Sequence, residues 1–172
     1  MRWLPWVLVG SALGAQSTGF AVHAGFARVD AYNAASVGLS GEWAFTQRHA
    51  LSIRLDHSVG SMGGGDAGAK GRDFFSYTLD WTWHTRGFRS PGFFLGGGWG
   101  SVHLRYQEPD ALTPSLLRNR ERSGGAPNIH FGVQISSHLI VQGRVHAFMS
   151  NDGHSTFLSS APYVSASLGW LF

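Results

Sequence analysis

From Phe20 onward the chain alternates apolar and small or polar side chains with a period of two, the spacing that places neighbours on opposite faces of a strand. Phe20, Val22, Ala24 and Phe26 open the pattern, and Val37, Leu39, Gly41, Trp43 and Phe45 continue it. Leu51, Ile53 and Leu55 form a third run, and Phe75, Tyr77, Leu79, Trp81 and Trp83 a fourth. Phe93, Leu95 and Trp99 alternate with glycines in a fifth, where the pattern blurs after Ser101 and leaves room for a bulge. Ile129 to Ile135, Leu139 to Met149 and Val164 to Phe172 complete eight predicted strands.

Charge tests the pattern. Glu42, Arg54, Asp56, Asp80 and Arg144 lie well inside these runs, and all five fall on the polar parity. Arg28 and Arg105 depart from it only near segment ends, where a long side chain reaches water. The connections alternate too. TQRH, TRGFRS and Ser137-His138 are short, whereas 61–72, 107–125 and 151–160 are long. Short and long ends on opposite sides describe an even-stranded, antiparallel, up-and-down β-barrel.

Two orientations of such a barrel are conceivable, and volume separates them. An eight-stranded barrel has an interior just wide enough for its own side chains or one small ligand. Trp43, Phe45, Phe75, Tyr77, Trp81, Trp83, Phe93, Trp99, Phe131, Trp170 and Phe172 share the apolar parity and exceed that space. They are expected to point outward into lipid, because an apolar surface of this extent aggregates in water. Trp43, Phe45, Trp83, Trp170 and Phe172 fall near the short turns, where an aromatic girdle would meet the membrane interface. The final strand is thus predicted to end at that girdle.

Composition adds limits. Gly 24, with 13% aromatic and only 13% charged residues, suits strands with bulky outer faces. Past residue 15 no apolar run approaches the roughly 18 residues of a membrane helix. Residues 1–15 combine Arg2, an apolar run from Trp3 to Val9 and small residues up to Ala15, the pattern of a secretory signal peptide, leaving 16–172 as the barrel domain. Cysteine is absent, which removes disulfides, thiolate catalysis and Cys-type zinc sites. The net charge of +3 is spread without one basic stripe, so nucleic acid is not an expected partner.

On these residues the chain resembles the small eight-stranded outer-membrane barrels of Gram-negative bacteria, the group of the OmpA membrane domain and OmpX. The resemblance implies an all-β transmembrane barrel in the bacterial outer membrane, with extracellular loops, periplasmic termini and a plugged polar lumen. Trp170 and Phe172 resemble the end signal that such barrels show to the barrel-insertion machinery. It also implies a monomer without cofactor or metal, in contact with outer-membrane lipid and lipopolysaccharide, acting in cell-envelope structure or surface binding rather than as an enzyme.

Within the polar face, pairing across the short turns sets Glu42 opposite Arg54 and His130 opposite His146. Glu42, Arg54, Asp80 and Arg144 are then expected in one lumen layer, with Asp56 nearby, as a salt-bridge network. An unpaired charge in a closed interior costs several kcal/mol. The His130 and His146 pair reads as interior hydrogen bonding, and would hold a metal only if further ligands converged. A small channel is the third functional class, disfavoured because open pores come with about 16 strands.

HAFMSNDGH, 146–154, resembles the lipid A 3-O-deacylase barrels, whose motif is the tighter His-x-Ser-Asn, and implies His146 and Ser150 as a hydrolase alternative. Arg118, Arg120 and Arg122 in the 107–125 connection suit bidentate phosphate contacts, hence lipopolysaccharide.

Overall fold

The computed structural model describes residues 17–29, 32–62, 73–109, 112–113, 115–147, 149–150 and 163–172. The predicted signal segment, the 151–160 connection and nearly all of 61–72 lie outside the described residues. The strands are β1 Ser17–Val29, β2 Tyr32–Ala44, β3 His49–Met62, β4 Asp73–His84, β5 Gly92–Pro109, β6 Leu117–Gln134, β7 Leu139–His146, β8 Met149–Ser150 and β9 Tyr163–Leu171. Every neighbouring pair is antiparallel, β1 pairs with β9, and β5 pairs with β6. The sheet therefore closes on itself.

The short β8 does not add a ninth wall. Gly124 and Gly125 on β6 face Ser150 and Met149 in the same register that pairs Asn128 with His146. The interruption falls at Ala147, whose N–H donates to the Pro127 carbonyl at 2.9 Å. Proline has no N–H to return, so one rung is missing while the strand runs on. The wall is eight-stranded.

Alternation sorts the two faces as expected. Leu79 and Leu168 are each 58% exposed on the outside, while the inward Asp80 is 1% exposed and Arg54 and Arg144 are 3%. Trp43, Trp81, Trp99 and Trp170 are likewise exposed outward.

The bulge expected after Ser101 is absent. β5 keeps one register against β4 from Phe94 to Arg105, and the irregularity instead lies in β2 between Asn33 and Ala35. What changes at Ser101 is the chemistry of each face. Val102 and Leu104 turn inward to pack with Phe74, Ala126 and Tyr163, while His103 and Arg105 lie outside. The exchange is local to this side of the barrel: on the other strands Phe26, Val59 and Val164 stay exposed outside while Ser36 and Ser58 stay buried.

The short turns also differ from expectation, by two residues. Ser40, not Glu42, lies opposite Arg54, and Arg144, not His146, lies opposite His130. In the first turn the Thr46 hydroxyl accepts from the N–H groups of Arg48 and His49 at 3.2 and 2.9 Å. Ser136 does the same for His138 and Leu139 at 3.2 and 3.1 Å. A hydroxyl placed two residues past the strand competes for the next N–H groups and reverses the chain early. A shift of two keeps every side chain on its face, so the parity survived while the pairs changed.

β5 and β6 extend beyond the wall. Past Arg105 and Glu121 they pair with each other up to Pro109 and Leu117 and, among the described residues, with no further strand. The loop expected over 107–125 is thus mostly ribbon, because two strands can satisfy each other's backbone groups without further neighbours.

Replacing Thr46 or Ser136 by Ala removes these N–H acceptors. Each change is expected to lower stability by roughly 0.5–1.5 kcal/mol, read from urea unfolding of the refolded barrel; no loss would mean that the hydroxyls do not set the turns.

Candidate functional site

The lumen is built from inward residues of all the long strands. Arg54 on β3 grips Asp56 two positions along the same strand, Nε to Oδ2 at 2.7 Å and Nη2 to Oδ1 at 2.8 Å. Its Nη1 donates to Gln142 Oε1 at 2.6 Å on β7 and lies 3.3 Å from His23 Nδ1 on β1. One guanidinium thus ties three strands together.

Arg144 on β7 makes the second centre. Its Nη1 donates to Asp80 Oδ2 at 2.7 Å, Asn128 Oδ1 at 3.0 Å and Thr78 Oγ1 at 3.2 Å. Asp80 also accepts from Asn128 Nδ2 at 2.8 Å and from Thr78 Oγ1 at 2.9 Å. The Arg144 Nε has no partner among the described residues.

Glu42 stands apart from both arginines' direct bonds. It accepts from Ser40 Oγ at 3.2 Å, which in turn meets His23 Nε2 at 3.0 Å. Glu42, Arg54, Arg144 and His130 share the wall of a cavity of about 30 Å³, room for roughly one or two waters. The expected single layer is therefore two ion pairs plus a carboxylate across a small void.

The histidine pair is not a pair. His130 bonds Thr82 Oγ1 at 2.8 Å, whereas His146 packs edge-on to Phe74 and Tyr163 with neither ring nitrogen partnered among the described residues. The two-residue change of register is the reason. Among the described residues no group of three or more His, Cys, Asp or Glu side chains is arranged to hold a metal.

His146 and Ser150 fare worse as a dyad. They are four residues apart in one register against β6, about 13 Å at roughly 3.3 Å per residue, beyond hydrogen-bond reach.

Glycine on β5 makes the room that the charges occupy. A Cβ at Gly98 would lie 2.2 Å from Asp80 Oδ1, and one at Gly96 would lie 2.4 Å from His130 Nε2.

Apolar clusters lie inside the barrel towards both ends, which sequence reasoning missed. At the short-turn end Ala21, Phe94, Ile140 and Leu171 cluster with Phe88 from the β4–β5 turn. That turn folds under the barrel with Gly87 at φ 124 and Arg89 at φ 63. Phe88 N donates to Gln47 O at 2.7 Å, and Arg89 donates to Thr18 O at 3.1 Å and to the main-chain oxygen of Phe172. At the other end Phe74 stacks flat on Tyr163, centroids 3.8 Å apart, and the Tyr163 hydroxyl meets Ser58 Oγ at 2.9 Å. The signal was an aromatic on the polar parity.

Arg118, Arg120 and Arg122 lie on β6, opposite Glu108, Tyr106 and Leu104. Arg118 and Arg120 are in the ribbon that rises past the wall. Trp170 and Phe172 end β9's line on the outer face, and Phe172 N donates to Phe20 O at 2.8 Å.

Neither a protein-family model nor a curated protein sequence matches this chain. Solved structures do match in fold. Ail, the attachment invasion locus protein of Yersinia pestis, crystallised with the heparin analogue sucrose octasulfate, aligns at TM-score 0.53 and 12% identity over 91% of this chain and 97% of its own. Neisserial surface protein A aligns at 0.58 and 8% identity, covering 90% and 94%. The outer membrane protein OprG of Pseudomonas aeruginosa aligns at 0.52 and 13%, covering 93% and 98%. The chain has the closed eight-stranded fold of the small outer-membrane β-barrels.

Removing one partner of a buried ion pair strands the other. Asp80→Ala is expected to destabilise the barrel by roughly 3–5 kcal/mol and Gly98→Ala, whose Cβ would meet the Leu79 carbonyl and the Asp80 carboxylate, by about 1–3 kcal/mol. Urea unfolding checks both, and an Asp80→Ala barrel as stable as the parent would disqualify the pair as a structural element.

Proposed function

We propose that the chain is an outer-membrane β-barrel with a plugged lumen, acting as a rigid support that presents its extracellular connections and the β5–β6 ribbon to lipopolysaccharide or an external partner. The outward apolar face supports the membrane placement, since only hydrocarbon favours such a surface. The single observation that carries the role is the interior: two tied ion pairs between apolar seals, with a residual void of about 30 Å³. Among the described residues these groups leave little room for a solute to pass. The hydrolase reading loses its basis in the separation of His146 from Ser150, and no catalytic role is assigned.

Arg118, Arg120 and Arg122 supply the chemistry for an anionic surface ligand. A chain of the same fold takes a polysulfated sugar, which is in keeping with a polyanion as ligand. The termini belong on the periplasmic side, with Trp170 and Phe172 as the end recognised during insertion, and the barrel acts as a monomer.

Three measurements test this. Leu79→Arg places a charge on the outer face and is expected to cost roughly 2–4 kcal/mol in lipid vesicles; a neutral effect would remove the membrane placement. Planar bilayers containing the folded protein should stay electrically silent, and steady conductance would overturn the plug. Neutralising Arg118, Arg120 and Arg122 together should reduce co-purified lipopolysaccharide, and unchanged retention would defeat that contact.

A further inference from the structure

Charge is divided unevenly between the two ends of the barrel. The short connections TQRH, TRGFRS and Ser137-His138 hold three arginines, Arg48, Arg86 and Arg89, and no acid. Among the described acids, Asp56 and Asp80 are buried in the lumen and Glu42 lines its cavity, while Asp73, Glu108 and Glu121 lie towards the long connections. Arg89 is taken up by the main-chain oxygens of Thr18 and Phe172. Arg48 and Arg86 remain.

The fold brings these two together. The His84 N–H donates to the Arg48 carbonyl at 2.8 Å and the Phe88 N–H to the Gln47 carbonyl at 2.7 Å, so the β2–β3 and β4–β5 turns are fastened side by side. Both arginines are exposed, and neither guanidinium has a hydrogen bond or ion pair among the described residues. Two like charges on adjoining turns, with no acid near them, gather an anion.

The rings beside them set the depth. On the outer face Phe45, His49 and Trp81 stack with centroids 6.0 and 5.5 Å apart, and Trp83 lies opposite His49. Arg48 directly precedes His49, and Arg86 follows Trp83 by three residues. Aromatic rings in such a girdle sit at the level of lipid headgroups, which puts the two guanidinium groups at the phosphates while the exposed Leu51 and Leu79 meet acyl chains. A guanidinium donates in a fork that matches phosphate oxygens. A zwitterionic head also brings an ammonium group, and no acidic side chain of the described residues stands at this rim to receive it.

From this arrangement we infer that the short-turn rim binds an anionic phospholipid of the leaflet at that end, its phosphate on Arg48 and Arg86 and its chains against the Phe45, His49 and Trp81 stack. The inference rests on the membrane orientation proposed above. It places the phospholipid at the end opposite the ribbon that is proposed to meet lipopolysaccharide.

The full chain, refolded in detergent micelles, is mixed with equal amounts of phosphatidylglycerol, phosphatidylethanolamine and phosphatidylcholine, and bound lipids are counted by native mass spectrometry. Phosphatidylglycerol should be retained roughly fivefold over either of the others, the scale of an arginine at an anionic membrane surface. Arg48→Gln and Arg86→Gln should each lower that preference and together abolish it; the single changes decide the matter if the double variant does not fold. Changing Arg118, Arg120 and Arg122 together to Gln should leave the preference intact, which separates this rim from the ribbon. Equal retention of the three lipids, a preference of the parent for phosphatidylethanolamine or phosphatidylcholine, one that survives the loss of Arg48 and Arg86, or one that disappears with the ribbon arginines would overturn the site. Resistance of the unheated barrel to unfolding in dodecyl sulfate electrophoresis is scored in parallel. A chain that forms no barrel sinks the membrane reading, and a folded barrel without preference for the anionic lipid sinks only this one.

Discussion

Two guanidinium groups sit inside a closed ring of backbone with room for little water, and the rest of the barrel is arranged around keeping them paired. A charge in that space costs several kcal/mol unless it is bonded on most of its donors. Arg54 answers with Asp56, Gln142 and His23, and Arg144 with Asp80, Asn128 and Thr78. Because these partners come from β1, β3, β4, β6 and β7, each guanidinium acts as a cross-brace. The glycines of β5 are part of the same device, since a side chain at Gly98 would take the place of the Asp80 carboxylate.

A brace of charges holds best when water is kept from it. Phe88, Phe94, Ile140 and Leu171 close the barrel at one end, and Phe74, Val102 and Tyr163 at the other. The lower seal depends on a turn held by Arg89, which reaches across the mouth to the ends of β1 and β9 and so also fastens the seam where the sheet closes. On the β3–β6 side of the upper cluster His57, Asp73, His103 and Arg105 stand outside while Phe74, Val102 and Tyr163 lie within.

The alternation of single residues carried most of the fold. Eight runs, their outward aromatic rings and the inward parity of Glu42, Arg54, Asp56, Asp80 and Arg144 could be read directly, because parity depends only on neighbours in the chain. Register could not. Thr46 and Ser136 moved two turns by two residues, which left every face intact yet took Glu42 from opposite Arg54, whose carboxylate partner is Asp56 on its own strand, and separated His130 from His146. The blurred stretch after Ser101 looked like a fault in the strand and is a change of surroundings along an unbroken one.

Thus the linear order of residues determined the number of walls, which side of each faced inward and which charges had to share the interior, since a strand's two faces follow from counting. Only the closed tertiary structure decided which side chains from distant strands met each guanidinium and which apolar residues gathered at the two ends. Those depend on contacts between strands far apart in sequence, and hydroxyl-controlled turns and ring closure set them jointly.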